Sequence, residues 1–140
     1  MNTIHYAAVF NPQAEGGYTV TIPELPEAIT EGDTMEEARF NAAEALSLAL
    51  AVRIELGEAI PVPSPPSGAD MEWVEPDAAV QAAILVRTTR GTKPLAELAR
   101  ALGTSWPAAQ RLENPRHTPT LKQLERAAAA LGKRLILAFE

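Results

Sequence analysis

The stretch IPVPSPPSGAD, residues 60–70, constrains this chain more than any other. Its four prolines remove backbone donors and fix φ, so neither a helix nor a central strand can run through it. The residues on either side obey different periodicities. Upstream, apolar residues first alternate and then repeat every three or four; downstream the pattern is helical almost to the end. The sequence therefore predicts two parts, 1–75 and 76–140, with 60–70 as a Pro/Ser-rich linker region. The expected class is α+β: a small antiparallel sheet carrying one long helix, then an all-α part with a C-terminal strand.

In the first part, IHYAAVF (4–10) is rich in β-formers and reads as a strand. Asn11, Pro12, Gly16 and Gly17 mark a hairpin loop. YTVTI (18–22) alternates, with Tyr18, Val20 and Ile22 on one face and Thr19 and Thr21 on the other, until Pro23 and Pro26 end it. AIT (28–30) is a short third strand. Thr34 and Glu37 have capping-box spacing. Met35, Ala38, Ala42, Ala45, Ala49, Val52 and Leu56 then mark a helix that Gly57 stops. MEWV (71–74) either closes the sheet as a further strand or leads into the second part. Trp73 reads as a packing residue.

In the second part, Asp77 caps a helix carrying Val80, Ile84 and Leu85, and RGTKP (90–94) breaks it. PLAELARAL follows, then Gly103. Ser105 caps WPAAQRLEN, with Pro107 tolerated in its first turn. Pro115 and Pro119 bracket a loop, and Leu121, Leu124, Ala128 and Leu131 mark a last helix. RLILAF (134–139) reads as a terminal strand. Leu135, Leu137 and Phe139 share one face of it, and pairing with its copy would give a homodimer or a higher assembly such as a tetramer.

Two helices joined by a short Gly turn have helix-turn-helix spacing, with Leu98 and Leu102 inward, Ala99 at the close approach and Leu112 as anchor. Lys93, Ser105, Trp106, Gln110, Arg111, Asn114, Arg116 and His117 are the expected DNA contacts. Trp106 and Pro107 lack the paired donors that read guanine or adenine, which leaves Arg111, with Gln110, as the base reader. Lys93, Asn114, Arg116 and His117 suit phosphate. His117 also reads as a solvated loop residue.

Charge divides the same way. Residues 1–60 hold ten Asp/Glu and two Lys/Arg, whereas 77–140 hold five acids and ten Lys/Arg. The acidic part repels nucleic acid and attracts a basic protein; the basic part suits phosphate. Cysteine is absent, which excludes disulfide and thiol chemistry and fits a reducing cytoplasm. No apolar run suffices for a membrane span, and MNTIHYAAVF lacks the form of a secretory signal. His5 stands alone in a first strand without carboxylates, and no Cys/His cluster, phosphate loop or nucleophile elbow occurs. No catalysis, metal or cofactor is expected.

Glu15-Gly16-Gly17-Tyr18, Pro23-Glu24-Leu25-Pro26, Glu31-Gly32-Asp33-Thr34 and Glu36-Glu37-Ala38 together resemble the N-terminal domain of HicB-type antitoxins of type II toxin–antitoxin systems. Glu27-Ala28 departs from that pattern, where many members have Gly-Cys. LENPRHTPTLKQLERAAAALGKRLIL looks like the helix-turn-helix, XRE-like form of that family. The resemblance implies a partial RNase H-like fold for 1–75. It also implies a small basic HicA-like toxin as partner and repression of the antitoxin's own operator DNA. Glu15, Tyr18, Glu24, Glu27, Glu31 and Asp33 are the expected toxin contacts, with Glu36, Glu37 and Glu44 either joining them or merely solvating the helix. The alternative is a stand-alone regulator whose first domain senses a ligand or a protein.

Overall fold

The computed structural model describes residues 4–140. It divides into two compact units, Met1–Asp77 and Ala78–Glu140.

The first unit is a four-stranded antiparallel sheet with one helix. β1 (Tyr6–Pro12), β2 (Tyr18–Thr21), β3 (Ile29–Gly32), α1 (Met35–Glu55) and β4 (Met71–Val74) follow in chain order. The sheet order is β3-β2-β1-β4. MEWV is thus a strand that closes the sheet: Tyr6 pairs with Val74 and Val9 with Met71. β1 runs two residues further than its turn-like Asn11-Pro12 suggests, because these pair with Thr19 and Tyr18.

Alternation sends Tyr6, Ala8, Phe10 and Val20 to one face, where they are buried with Ile22, Leu46 and Leu50. α1 supplies Ala38, Ala42, Leu46, Ala49 and Leu50 to that core. Leu46 and Leu50 take the place expected for Val52 and Leu56, which are exposed. Thr34 caps the helix, its hydroxyl accepting from Glu37 N at 3.1 Å.

Two motif glycines set the spacing. A Cβ on Gly32 would lie 2.4 Å from Ala38 N, so only glycine lets α1 start against β3. Gly17, at φ +78°, would press a Cβ to 2.8 Å from Gly32 O. Leu25, wholly buried, is held in a double turn by Leu25 N donating to Ile22 O and Ala28 N to Leu25 O.

The proline-rich segment does not separate the units. It joins α1 to β4 and lies on the first unit as a strap. Tyr6 Oη donates to Pro61 O at 2.6 Å, Ser64 N donates to Glu24 Oε1 at 2.8 Å, and Phe10 N donates to Asp70 O at 2.8 Å. Asp77 N donates to Ser47 Oγ at 2.8 Å and ends the unit.

The second unit is helical: α2 (Ala78–Arg90), α3 (Leu95–Leu102), α4 (Trp106–Arg111) and α5 (Leu121–Ala130). Val86, Leu98 and Ala127 form its centre, with Leu95, Leu102, Leu112, Leu124, Ala130 and Leu131 packed around them. Leu85, expected inside, is exposed, as is Leu121. α3 ends at Gly103 in the left-handed region (φ 65°), and α4 begins at once with Ser105 accepting from Ala108 N at 3.3 Å. α5 opens on a complete capping box between Thr120 and Gln123.

The strand expected over 134–139 does not form. Those residues carry no regular structure in the single chain, and Leu137 and Phe139 are exposed while Leu135 is half-buried. A terminal strand needs a neighbouring strand to satisfy its backbone, and the helices around it offer none.

Candidate functional site

The six acidic-unit residues singled out by sequence fall at opposite ends of the sheet. Glu15 lies in the β1–β2 turn, and Tyr18 opens β2 opposite Gly32. Glu31 lies in β3 opposite Thr19, and Asp33 leads into α1. These four share one end with the first turn of α1, where Glu36 and Glu37 sit at the positive end of the helix dipole. Glu15, Glu31 and Asp33 are exposed, while Tyr18 is half-buried. Asn41 secures this end by donating to Glu31 O at 2.8 Å.

Glu24 and Glu27 lie at the far end and are engaged within the unit. Glu24 holds the strap through Ser64 N. Glu27 receives two bonds from Arg53, at 2.6 and 3.0 Å. The Arg53 guanidinium, a bond to the Glu27 backbone and the cation's field hold the Glu27 carboxyl below its ordinary range. Burial, and secondly the charge of Glu24, push the Tyr6 hydroxyl above its ordinary value. His5 stacks on Trp73 with ring centroids 3.7 Å apart, so Trp73 packs on the open face of the sheet.

In the second unit, Lys93, Gln110, Arg111, Arg116 and His117 are exposed, and Trp106 is 48% exposed at the start of α4. Ser105 serves as the cap of α4. Asn114 is half-buried and turns the chain, its Oδ1 accepting from Arg116 N at 2.9 Å and its carbonyl from His117 N at 3.0 Å. Gln110 and Arg111 come from the last turn of α4, and Arg116 and His117 from the loop just beyond.

Between Arg111 and Arg116 in the chain, Glu113 belongs to a buried ion pair that sequence reading missed. Arg90 Nε donates to Glu113 Oε2 at 2.5 Å and Nη2 to Oε1 at 2.9 Å; Arg90 Nη1 also donates to Lys93 O at 2.5 Å. Glu113 is 8% exposed. One guanidinium thus ties the end of α2, the loop before α3 and the end of α4. Its bond to Glu113 raises the Arg90 pKa further. The signal was an acid and a base 23 residues apart, which no local spacing rule connects.

Among the described residues no group of His, Cys, Asp or Glu is placed to hold a metal, and no helix is long and apolar enough to cross a membrane.

The family model described as "HicB_like antitoxin of bacterial toxin-antitoxin system" matches residues 5–75. "Antitoxin HicB 1" of Photorhabdus laumondii is 32% identical over 142 residues, covering 100% of this chain and 90% of that protein. "Antitoxin HicB" of Escherichia coli K12 is 35% identical over 136 residues, covering 96% of this chain and 98% of that protein. A crystal structure of the N-terminal domain of the Burkholderia pseudomallei antitoxin HicB matches with a TM-score of 0.46 at 24% identity, over 53% of this chain and 99% of that one. The chain belongs to the HicB antitoxin family of bacterial toxin–antitoxin systems. Its relatives are antitoxins, which are not enzymes.

Proposed function

We propose that this chain binds and covers a small basic HicA-like toxin that cleaves mRNA, and represses its own operon by binding operator DNA. The carrying observation is the separation of charge onto two compact units. The first, through Asp77, holds fourteen Asp/Glu and two Lys/Arg; the second holds four acids and ten Lys/Arg. A protein that cuts RNA presents a basic face to phosphate, and an acidic unit steers to that face and occupies it. The first unit, a meander of three strands followed by a helix, is taken as a partial RNase H-like fold. Glu15, Tyr18, Glu31 and Asp33 at one end of its sheet are its candidate toxin contacts, while Glu24 and Glu27 act through the strap and α1.

We read α3 and α4 as a helix-turn-helix. The left-handed Gly103, the Ser105 cap and the buried Ala99 and Ala109 support that reading. Arg111 and Gln110 then face base edges, and Lys93, Arg116 and His117 face phosphates. The C-terminal segment is assigned to dimerisation, and the compartment is the cytoplasm.

Co-expression with the small basic neighbour tests the first half. The full chain should co-purify with it and stop mRNA cleavage. Undiminished cleavage in the presence of folded protein would sink the reading and favour a stand-alone regulator.

A further inference from the structure

α1 is apolar on two sides. Its sheet side is filled by the core, and the opposite side carries Phe40 at 64% exposure, Leu48 at 67% and Val52 at 39%. At about 100° per residue these three fall within about 60° of one line along the helix, and Glu37 and Glu44 lie on that line too. A helix that only covered a sheet would carry polar side chains there. Large apolar side chains grouped on a surface and rimmed by charge mark a contact with another molecule.

Charge identifies the occupant. The two cations of the acidic unit, Arg39 and Arg53, are both in α1, and both turn toward the sheet side, to Glu72 and Glu27, each at 2.6 Å. The outward face therefore presents carboxylates and hydrocarbon. It also runs on from the acidic end of the sheet, since Glu31 and Asp33 lead directly into Glu36 and Glu37. A second copy of the unit would set this excess of negative charge against itself.

We propose that the outward face of α1, with Phe40, Leu48 and Val52 between Glu37 and Glu44, is the docking surface for the basic toxin. This rests on the antitoxin reading above. The apolar side chains, spread over about 18 Å from Phe40 to Val52, form the dry centre, and the carboxylates set register and on-rate.

The test uses the full chain and a catalytically inactivated toxin in isothermal titration. Phe40→Ser with Leu48→Ser should weaken binding about tenfold or more, since central apolar anchors dominate such contacts. Glu37→Gln with Glu44→Gln should weaken binding at low salt and match wild type at high salt. This second pair leaves the apolar side chains in place and keeps the proposal testable if the first misfolds. Ile29→Ser, on the opposite face of the sheet, should bind as wild type. Wild-type affinity in both double variants overturns the proposal. So does loss of affinity confined to Ile29→Ser, or a Phe40/Leu48 variant that turns monomeric while still binding toxin, which would place a second copy there. A wild-type chain that binds no toxin fails at the antitoxin reading itself and takes this surface with it.

Discussion

Replacing Glu113 with Leu should unlock the basic unit. The carboxylate accepts two charge-assisted bonds from Arg90, at 2.5 and 2.9 Å, with side-chain exposures of 18% for Arg90 and 9% for Glu113. Breaking a buried pair costs about 3–5 kcal/mol because the surviving charge is stranded. Here Arg90 keeps Lys93 O, and part of its side chain reaches water, so about 2–4 kcal/mol is expected. For a unit of this size that lowers the melting temperature by about 10 °C or more. Replacing both, Arg90→Met with Glu113→Leu, removes the stranded charge and should return to within about 1 kcal/mol of wild type. The chain has two tryptophans, so a Trp73→Phe background leaves Trp106 in α4 as the reporter of this unit during urea unfolding. A single variant costing less than about 0.5 kcal/mol, or a double variant no better than the single, would refute the argument from stranded charge.

Three further outcomes follow from the same structure. Arg111→Ala should cost about 1–3 kcal/mol on operator DNA and relax preference at one base pair per half-site, while Lys93→Ala should weaken operator and scrambled duplex alike; equal losses for Arg111→Ala on both duplexes would make it a phosphate contact. Deleting 134–140 should abolish dimerisation and cooperative operator binding, checked by light scattering and mobility shift; a dimeric truncated chain would assign the interface elsewhere. Tyr6 donates to the strap only while protonated. Its folded pKa lies above the ordinary 10.0, so its contribution is complete below pH 10 and is lost as pH rises through the raised value. Tyr6→Phe should cost about 1 kcal/mol at neutral pH and remove that alkaline loss, read from unfolding curves across pH.

β1, β2, β3, α1 and the Gly103 turn were legible because period and punctuation are local: alternation in YTVTI, the Thr34 cap, a glycine after Leu102. The inner side of α1 was legible only in part, at Ala38, Ala42 and Ala49. Alanines and leucines occur all round it, so periodicity picked Val52 and Leu56 where packing chose Leu46 and Leu50. The Thr120–Gln123 capping box is equally local, since its T-x-x-Q spacing lies within one turn. The engagement of Glu24 by Ser64, of Glu27 by Arg53 and of Glu113 by Arg90 joins residues 40, 26 and 23 positions apart, distances at which sequence spacing is silent. Charge counted along the chain could not tell a carboxylate facing solvent from one already holding an arginine.

The strap also has a consequence in time. β1 leaves the ribosome before the other strands of its sheet, but its N-terminal half pairs with β4, more than sixty residues later. Until Val74 has emerged, Tyr6 to Val9 form an open edge, and the pairing that closes it pays the loop entropy of the whole intervening segment. The acidic unit therefore completes its sheet only after α1 and the strap are made, close to the moment when the basic unit begins to appear. A chain cut short before residue 71 would carry all four motifs between Glu15 and Ala38 and still lack an edge of its sheet.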